Sequence, residues 1–249
     1  MSQPTVYLVS GANRGIGLAL ATHLVARPNT IVFAGARKPE EAPELAALAA
    51  ANPGRVHVVR LVSADKESNL AAVDTIRKTT GRLDVVLANA GVAVMKGALD
   101  LELEEMRSHF EVNVNGPVLL FQAAYPLLKE SKLPGKFVAL TSPIGSIHTG
   151  SQWPGGLYNY GASKAALNWT MRKLHRDFEN LVIFPISPGL VESGMSAATL
   201  EKEPWMLDHT ELLKPEVSVE GIIKQVEEGT RETHGGKFVD YTGVGLWEW

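Results

Sequence analysis

Short apolar runs alternate with longer stretches of helical period, and this alternation limits the fold more than any other feature of the chain. Seven such runs, rich in β-branched residues, predict strands. Strands that alternate with helices form parallel sheets, because each crossover helix returns the chain to the same end of the sheet. We therefore expect an α/β fold with a doubly wound, mostly parallel seven-stranded sheet and helices on both faces. The predicted strands are residues 5–9, 30–34, 56–62, 83–88, 136–141, 181–186 and 237–241.

The stretches between these strands predict six helices in one domain that spans residues 1–249. Residues 192–215 are an exception, since they have no clear strand period and carry apolar side chains among polar ones. This segment suits a flap over a ligand site better than a core element. The predicted helices are residues 15–26, 39–51, 66–79, 103–129, 158–178 and 218–229.

Charge and cysteine content exclude several kinds of function. A formal net charge of -3 and a pI near 6.2 provide no basic surface for nucleic acid or an anionic membrane, so small molecules are the expected partners. Without cysteine there is no disulfide, thiolate metal site or cysteine nucleophile, and the seven histidines show no paired metal spacing. Residues 1–9 have no basic leader and no apolar run of signal length, so a cytoplasmic protein is expected.

A glycine-rich turn joins the first strand to the first helix. Gly11 allows a sharp turn, Gly15 allows the backbone to approach a pyrophosphate, and Gly17 allows the helix to pack close to the strand. The helix N-terminus adds free N–H groups and the positive end of a dipole. An ordinary glycine turn is the competing interpretation, and the strand before it and helix after it count against that. A nucleoside triphosphate loop requires Gly-Lys-Ser/Thr, which is absent.

The end of the second strand indicates which dinucleotide would bind. A Rossmann-like site selective for NAD(H) presents an acidic residue there to the adenosine ribose, and this chain has Ala34-Gly35-Ala36-Arg37-Lys38 instead. The guanidinium of Arg37, together with that of Arg14, offers forked donors to a 2′-phosphate. NADP(H) is therefore favoured over NAD(H). The alternative is that Arg37 and Lys38 only solvate a loop.

A phenol, an ammonium and a hydroxyl are placed for proton transfer. Lys164 follows Tyr160 by four residues, so the two side chains share a helix face. A fixed cation favours the phenolate, which predicts that the pKa of Tyr160 is lowered from its usual value near ~10. Ser142 adds a hydroxyl at the end of the fifth strand. Beside a nucleotide site, these groups indicate acid-assisted hydride transfer.

Together these motifs resemble the short-chain dehydrogenase/reductase family, and within it the carbonyl reductases and fungal ketoreductases. The resemblance covers essentially the whole chain, and its motifs occur in the expected order. It assigns Asn113, Ser142, Tyr160 and Lys164 to catalysis. It assigns cofactor binding to Gly11, Asn13, Arg14, Gly15, Ile16, Gly17, Arg37, Asn89, Ala90, Gly91, Tyr160, Lys164, Pro188, Gly189, Val191 and Ser193.

The resemblance also implies a mechanism. Tyr160 donates a proton to the carbonyl oxygen, Lys164 binds the nicotinamide ribose and lowers the tyrosine pKa, Ser142 bonds the carbonyl oxygen, and Asn113 holds a relay water. The implied activity is reduction of a ketone or aldehyde with NADPH. Alcohol oxidation in the reverse direction is one alternative. A non-catalytic nucleotide-binding sensor or scaffold is another, although such a module has no need for a phenol beside a cation.

Three departures from the family pattern affect the expected site. Val62 stands where many members have an aspartate that contacts adenine, so that contact is lost or moves to Ser63 or Asp65. Ser193 replaces the usual threonine near the nicotinamide carboxamide. The stretch from Ser142 to Tyr160 is longer than in many members, as in the carbonyl reductase group.

Neighbouring residues compete for some of these assignments. Ser146 is expected to serve its loop rather than catalysis, because serine readily bonds nearby backbone in turns. Tyr158 lies off the face of Lys164, and Asn115 lacks the family position of Asn113. Trp153, Leu190, Trp205 and Met206 predict an apolar, aromatic substrate pocket, and the alternative is that aromatic residues on a flap serve only packing. The predicted pocket residues are His148, Trp153, Tyr158, Leu190, Trp205 and Met206.

Two expectations concern motion and assembly. The flap is expected to be mobile without ligand and to close on cofactor and substrate, which would exclude water from the reaction. The resemblance implies a homodimer or homotetramer formed by helices 103–129 and 158–178. The apolar residues considered for this contact are Val114, Leu119, Leu120, Ala165 and Leu167, and the alternative is that they pack only on their own sheet.

Overall fold

The computed structural model describes residues 3–249. Of residues 1–9, in which no leader is expected, the first two therefore lie outside the described residues. It confirms the α/β class. Ten strands are present in this part of the chain, eight of them in one sheet. They are β1 Thr5–Val9, β2 Thr30–Ala36, β3 Val56–Arg60, β4 Val85–Ala88, β5 Gly135–Leu140, β6 Leu181–Ser187, β7 Leu190–Val191, β8 Leu212–Leu213, β9 Val239–Asp240 and β10 Gly243–Val244.

The main sheet has the order β10-β9-β6-β5-β4-β1-β2-β3, and all its pairs are parallel except that of β10 with β9. The order reverses direction beside β1, as in a doubly wound sheet. The seventh predicted strand, residues 237–241, shortens to β9 because Asp240 starts a turn. Its carboxylate accepts hydrogen bonds from Thr242 N (3.1 Å) and Thr242 Oγ1 (2.8 Å), and the chain returns as β10.

Eight α-helices connect these strands in residues 3–249, and two of the six predicted helices are divided into shorter elements. Residues 39–51 contain α-helix only from Pro43, because a proline disfavours helical geometry in the residue before it. Residues 103–129 are interrupted by a π-helical turn, Glu111–Asn115. The helices are α1 Gly15–Ala26, α2 Pro43–Ala51, α3 Lys66–Thr80, α4 Leu103–Phe110, α5 Gly116–Leu128, α6 Tyr158–Asp177, α7 Gly194–Lys202 and α8 Pro215–Glu228.

The sheet has a separate apolar core on each face. Leu8 and Phe33 pack on one face with side chains of α3, α5 and α6, whereas their neighbours Val9 and Val32 pack on the other with α1, α2 and α8. Both faces are buried, which explains why the strands read as continuous apolar runs rather than alternating ones. Within residues 3–249, no helix is both long enough and apolar enough to span a bilayer.

Candidate active site

The glycine-rich turn lies at the carboxyl end of β1 and has the backbone that its sequence predicts. Gly11 has a φ of +63° and Gly15 a φ of +53°, both in the region that favours glycine. A Cβ on Gly11 would lie 2.9 Å from the Ala90 Cα, and one on Gly17 would collide with the Gly11 carbonyl. No side chain caps the N-terminus of α1 after Arg14, so its first N–H groups face outward. This concave backbone suits a phosphate.

The loop after β4 is bonded to this turn. The Asn89 side-chain amide donates to the carbonyls of Ser10 (2.9 Å) and Gly11 (3.1 Å). In return, the Ser10 hydroxyl accepts from the backbone N–H groups of Asn89 and Ala90, each at 3.0 Å. These four bonds fix the two strand ends against each other. Sequence reasoning found Asn89 and missed Ser10, whose only signal was a hydroxyl at the end of an apolar strand.

Two arginines border the turn without partners. Arg14 and Arg37 are exposed, and neither side chain makes a hydrogen bond or ion pair within residues 3–249. Lys38, by contrast, pairs with Glu41 at 2.6 Å. A third exposed arginine, Arg60, is in register with Ala36 on the neighbouring strand. The free guanidinium groups at this edge have the chemistry to bind a phosphate.

The segment after β3 shows what replaces the missing aspartate. The Asp65 carboxylate accepts from Ser68 N (2.9 Å) and caps α3, so it is engaged in holding its own helix. Ser63 remains, and its side chain lies beside Gly116, where an added Cβ would be 3.1 Å from the Ser63 Cβ. An adenine contact at Ser63 or Asp65, and the alternative that the contact is lost, stay predictions.

The three proton-transfer groups converge where β5 meets α6. The Lys164 ammonium lies 5.6 Å from the centre of the Tyr160 ring and donates to the Leu140 carbonyl at 2.8 Å. The Ser142 hydroxyl accepts a hydrogen bond from Ile144 N at 3.3 Å and lies close enough to the Tyr160 phenol to lower its pKa. Gly145 permits this approach, because a Cβ there would be 2.6 Å from the Lys164 Cβ. The arrangement unites a phenol, a hydroxyl and an ammonium.

Burial governs the titration of this group. It raises the pKa of Tyr160 to about 12, and the hydrogen bond from Ser142 only partly opposes this effect. Burial also lowers the pKa of Lys164 to about 8. The predicted lowering of the tyrosine pKa is therefore wrong for this structure, in which burial raises that pKa. The reason is that helical spacing reports proximity, whereas desolvation disfavours the charged forms of both groups.

Asn113 lies in the π-helical turn and is fully buried. Its amide donates to the Val92 carbonyl and to Ser163 Oγ, both at 3.0 Å, and accepts from Val92 N at 2.9 Å. It thus connects the loop after β4 to α6. Asn115, by contrast, is exposed, and its amide donates to Glu111 Oε2 at 2.7 Å. π-helical turns of this kind occur frequently at functional sites.

A small apolar cluster packs against Tyr160. Four of the predicted pocket residues pack in it beside Tyr160, namely Trp153, Leu190, Trp205 and Met206. The Trp153 and Trp205 rings are 6.2 Å apart and inclined by 67°. Sequence reasoning missed several members of the cluster because no helix or strand period links them. They are Ala93, Met95, Ile144, Leu157 and Leu200.

Two predicted pocket residues are not part of this cluster. Tyr158 is exposed at the start of α6. His148 is also exposed. Its imidazole Nδ1 lies 3.6 Å from the Glu248 carboxylate, and its backbone N–H donates to the Trp249 carbonyl. Proximity to Ser142 in sequence did not bring it inward because the intervening loop turns back. Ser146 serves that loop as expected, since its hydroxyl accepts from Thr149 N at 2.9 Å.

The segment after β6 closes the other side of the site. Gly189 has a φ of +76° and directs the chain into β7, where Val191 is buried and pairs with β8. The Pro188 carbonyl accepts from Ser218 Oγ at 2.6 Å. Ser193 is near the glycine turn, since a Cβ on Gly15 would lie 3.6 Å from its own Cβ. Its hydroxyl caps α7 by accepting from Ser196 N at 3.1 Å.

The C-terminal segment contributes an aromatic ring that was not predicted. The Trp247 indole donates to Asp240 Oδ2 at 2.7 Å, and its ring lies 6.3 Å from that of Trp153. Trp153 therefore contacts tryptophans from two other segments. Tryptophans far apart in sequence gave no pattern from which this grouping was foreseeable.

Comparison with known proteins identifies the family. A family model described as short chain dehydrogenase matches residues 5–204. The chain belongs to this family. Short-chain dehydrogenases bind nicotinamide cofactors, and the protein is an oxidoreductase. The residues identified above are consistent with membership, since the glycine turn and the Ser142, Tyr160 and Lys164 group occur together at the carboxyl edge of the sheet.

Individual relatives of this short-chain dehydrogenase have related descriptions. The chain is 40% identical to norsolorinic acid ketoreductase of Aspergillus parasiticus, with 99% of this chain and 92% of that protein aligned. It is 35% identical to a norsolorinic acid ketoreductase of Emericella nidulans, with 94% and 90% aligned. The NADPH-bound carbonyl reductase from chicken fatty liver superposes with a TM-score of 0.88 at 29% identity and covers 99% of this chain and 100% of its own.

Proposed function

We propose that this oxidoreductase reduces a ketone or aldehyde to an alcohol, with NADPH as the reductant. The observation that carries the proposal is the Ser142, Tyr160 and Lys164 group, which converges beside a glycine turn fitted for a phosphate. The ketoreductase and carbonyl reductase descriptions of the relatives support it. Alcohol oxidation would use the same residues, so direction is part of the test.

The residues present fit NADP(H). Gly11, Gly15 and Gly17 form a turn in which side chains would obstruct the backbone, and the free N–H groups of α1 face outward. Arg14 and Arg37 would hold the 2′-phosphate, since their guanidinium groups have no other partner in residues 3–249. When bound, NADPH supplies the hydride that reduces the carbonyl carbon.

The proton comes from Tyr160. Because burial raises its pKa to about 12, the phenol stays protonated at neutral pH and is available as a general acid for the carbonyl oxygen. The Ser142 hydroxyl donates a hydrogen bond to the same oxygen as charge develops there. Lys164, with a pKa of about 8, carries its charge at neutral pH and stabilises the phenolate that remains after proton transfer.

Asn113 has a positioning role in this scheme. Its amide bonds hold the loop after β4 against α6, and a Cβ on Gly91 in that loop would lie 3.3 Å from Asn113 Oδ1 and 3.8 Å from Lys164 Nζ. The Asn113 side chain thereby fixes the loop that lies next to the Lys164 ammonium. Resupply of the proton through a water near the π-helical turn remains part of the proposal.

The substrate is proposed to be an aromatic ketone or aldehyde. The cluster above Tyr160 is formed by apolar side chains, and two of these are indoles that meet edge to face. Flat aromatic rings bind between such side chains by offset or edge contacts. The norsolorinic acid ketoreductase relatives support a ketone as the reacting group.

The test follows NADPH oxidation against a panel of aromatic, aliphatic and polycyclic ketones, with the alcohol product identified by chromatography. We expect turnover that is fastest for the aromatic members. Parallel assays with NADP⁺ and the matching alcohols measure the reverse direction. Absence of carbonyl-dependent NADPH oxidation across the panel would contradict the proposed function.

A further inference from the structure

A buried carboxylate within the flap has no ion-pair partner among residues 3–249. Glu203 lies at the end of α7 and is only 7% exposed. No lysine, arginine or histidine forms an ion pair with it within residues 3–249. Burying an unpaired charge is costly unless hydrogen bonds replace its water, so the partners of Glu203 indicate what it does.

Both carboxylate oxygens accept hydrogen bonds from two different segments. Oε1 accepts from Gly156 N at 2.6 Å, and Oε2 accepts from the Trp205 indole Nε1 at 2.8 Å. Bonds to a charged acceptor are roughly twice as strong as neutral ones. Glu203 therefore joins the flap to the loop that leads into α6 and at the same time fixes the orientation of one indole.

The backbone around Gly156 is shaped for this contact. Gly155 has a φ of +92°, and a Cβ there would collide with the Glu203 carboxylate. A Cβ on Gly156 would lie 2.7 Å from the Lys96 carbonyl carbon, and Leu157 forms a β-bridge with Lys96. Two successive glycines thus allow the loop to pass between the carboxylate and the segment after β4. The backbone of this loop is therefore shaped to accept the hydrogen bond between Gly156 N and Glu203, which is buried rather than at the surface.

We propose that Glu203 is the latch that holds the flap against the loop before α6 and positions Trp205 as a wall of the substrate pocket. The indole it holds faces Trp153 at 6.2 Å, inside the cluster that includes Tyr160. The part that concerns substrate rests on the proposed carbonyl reduction. The latch itself is a property of the free protein and is tested without substrate.

The test uses Glu203→Gln, which keeps the shape of the side chain but turns an NH₂ group toward one of two donors. Glu201→Gln is the matched control, because Glu201 is an exposed acid two residues earlier. In hydrogen exchange of the ligand-free proteins, residues 153–157 and 194–208 of Glu203→Gln should exchange about 10-fold faster than in the parent, as expected for losing a hydrogen bond to a charged group. The control should exchange like the parent.

A second variant separates the two bonds. Trp205→Phe removes the indole donor, so adding Glu203→Gln to it should accelerate exchange in residues 194–208 less than it does in the parent background. Equal acceleration in both backgrounds would overturn the Trp205 contact. Exchange of Glu203→Gln at the parent rate would overturn the latch, whether or not the protein reduces carbonyls.

The positioning role has its own readout. In Glu203→Gln, the KM for a bulky aromatic ketone should rise about 10-fold relative to that for a small ketone, with kcat for the small ketone retained. A loosened flap with an unchanged ratio of the two KM values would overturn the positioning role. Failure of the parent to reduce any carbonyl would instead overturn the proposed function, and the exchange result would still decide the latch.

Discussion

At the scale of single residues, the site depends on groups whose ordinary chemistry is changed by burial. Tyr160 keeps its proton because the phenolate is poorly solvated, and Lys164 lies within 5.6 Å of its ring as a compensating charge. Burial keeps the phenol protonated at neutral pH, which is the form that can donate a proton to a carbonyl oxygen.

Arg37 provides a residue-scale test of cofactor choice. In Arg37→Asp, a carboxylate replaces the free guanidinium, repels a 2′-phosphate and accepts a bond from a ribose hydroxyl instead. We expect the ratio of kcat/KM for NADPH to that for NADH to fall by about 10²-fold, as for loss of a charge-assisted pair with an added repulsion.

Lys38→Asp is the control for Arg37, because it makes the same charge change one residue later on a side chain that already pairs with Glu41. Its cofactor ratio should stay within a few-fold of the parent ratio. A ratio left unchanged by Arg37→Asp would mean that Arg37 is only a solvated surface residue.

The residues that sequence predicted best were those with a motif or a backbone requirement. Gly11, Ser142, Tyr160 and Lys164 could be assigned because turn geometry and helical spacing act over a few residues. Glu203 could not, since its partner Gly156 is 47 residues away and nothing local marks a carboxylate as buried. The direction of the Tyr160 pKa shift was missed for a similar reason, because burial depends on the whole fold.

At the scale of elements, the flap packs against the rest of the protein. Strands β7 and β8 pair at its two ends, and Glu192 N donates to the Leu213 carbonyl at 2.9 Å. Between them, Met206 is buried and Trp205 packs on Trp153. These contacts hold the flap against the loop between β5 and α6. The mobile flap expected from sequence stays a prediction, and hydrogen exchange with and without NADPH and a substrate analogue decides it.

Truncating Trp205 tests whether the flap forms part of the pocket. In Trp205→Ala, the KM for bulky ketones should rise about 10-fold more than that for small ketones, because the large ring area that contacts an aromatic substrate is removed. The KM for NADPH should change little. Leu207→Ala is the control, since Leu207 is an exposed apolar residue of the same segment. Equal changes for bulky and small ketones would exclude Trp205 from the pocket.

Element boundaries were predicted well where a local rule sets them. Strand β1 and helix α1 have the predicted ends, because a glycine turn lies between them. The single helix predicted at residues 103–129 was wrong in its middle, since apolar periodicity does not register the extra residue of the π-helical turn. The strand predicted at residues 237–241 was too long. Asp240 ends it in a turn and accepts a hydrogen bond from Trp247, and apolar periodicity does not show such a contact.

At the scale of the whole molecule, two cores support a site that lies outside both. Each face of the sheet is covered by its own helices, and the third, smaller cluster lies beyond the carboxyl ends of the strands. Sequence predicted the class and the order of alternating elements because apolar periodicity reflects burial on each face. It did not predict how the flap, the loop after β5 and the C-terminal segment meet.

The predicted homodimer or homotetramer depends on which apolar side chains are accessible at the surface. Leu120 and Leu167 are buried in their own core, so of the residues considered for pairing only Val114, Leu119 and Ala165 remain partly accessible. The structure adds Leu103 on α4 and Trp169 on α6, which are 65% and 68% exposed. Large exposed apolar side chains on neighbouring helices are typical of an interface.

Light scattering at micromolar protein tests the oligomer. We expect a particle of at least twice the 26.9 kDa chain mass, and a shift toward the single-chain mass in Trp169→Glu, because a carboxylate in an apolar interface is poorly solvated. Glu220→Gln on α8 is the control on another helix. A 26.9 kDa particle for the parent would contradict assembly.

The central claim is that Tyr160 supplies the proton for carbonyl reduction, and one comparison tests it most directly. Initial rates of NADPH oxidation with an aromatic ketone are measured for the parent and Tyr160→Phe, and NADPH binding is measured by fluorescence titration. The variant keeps the ring and removes the acid, so its rate should fall by about 10²-fold or more while NADPH binding is retained. Reduction by Tyr160→Phe at the parent rate would contradict the account.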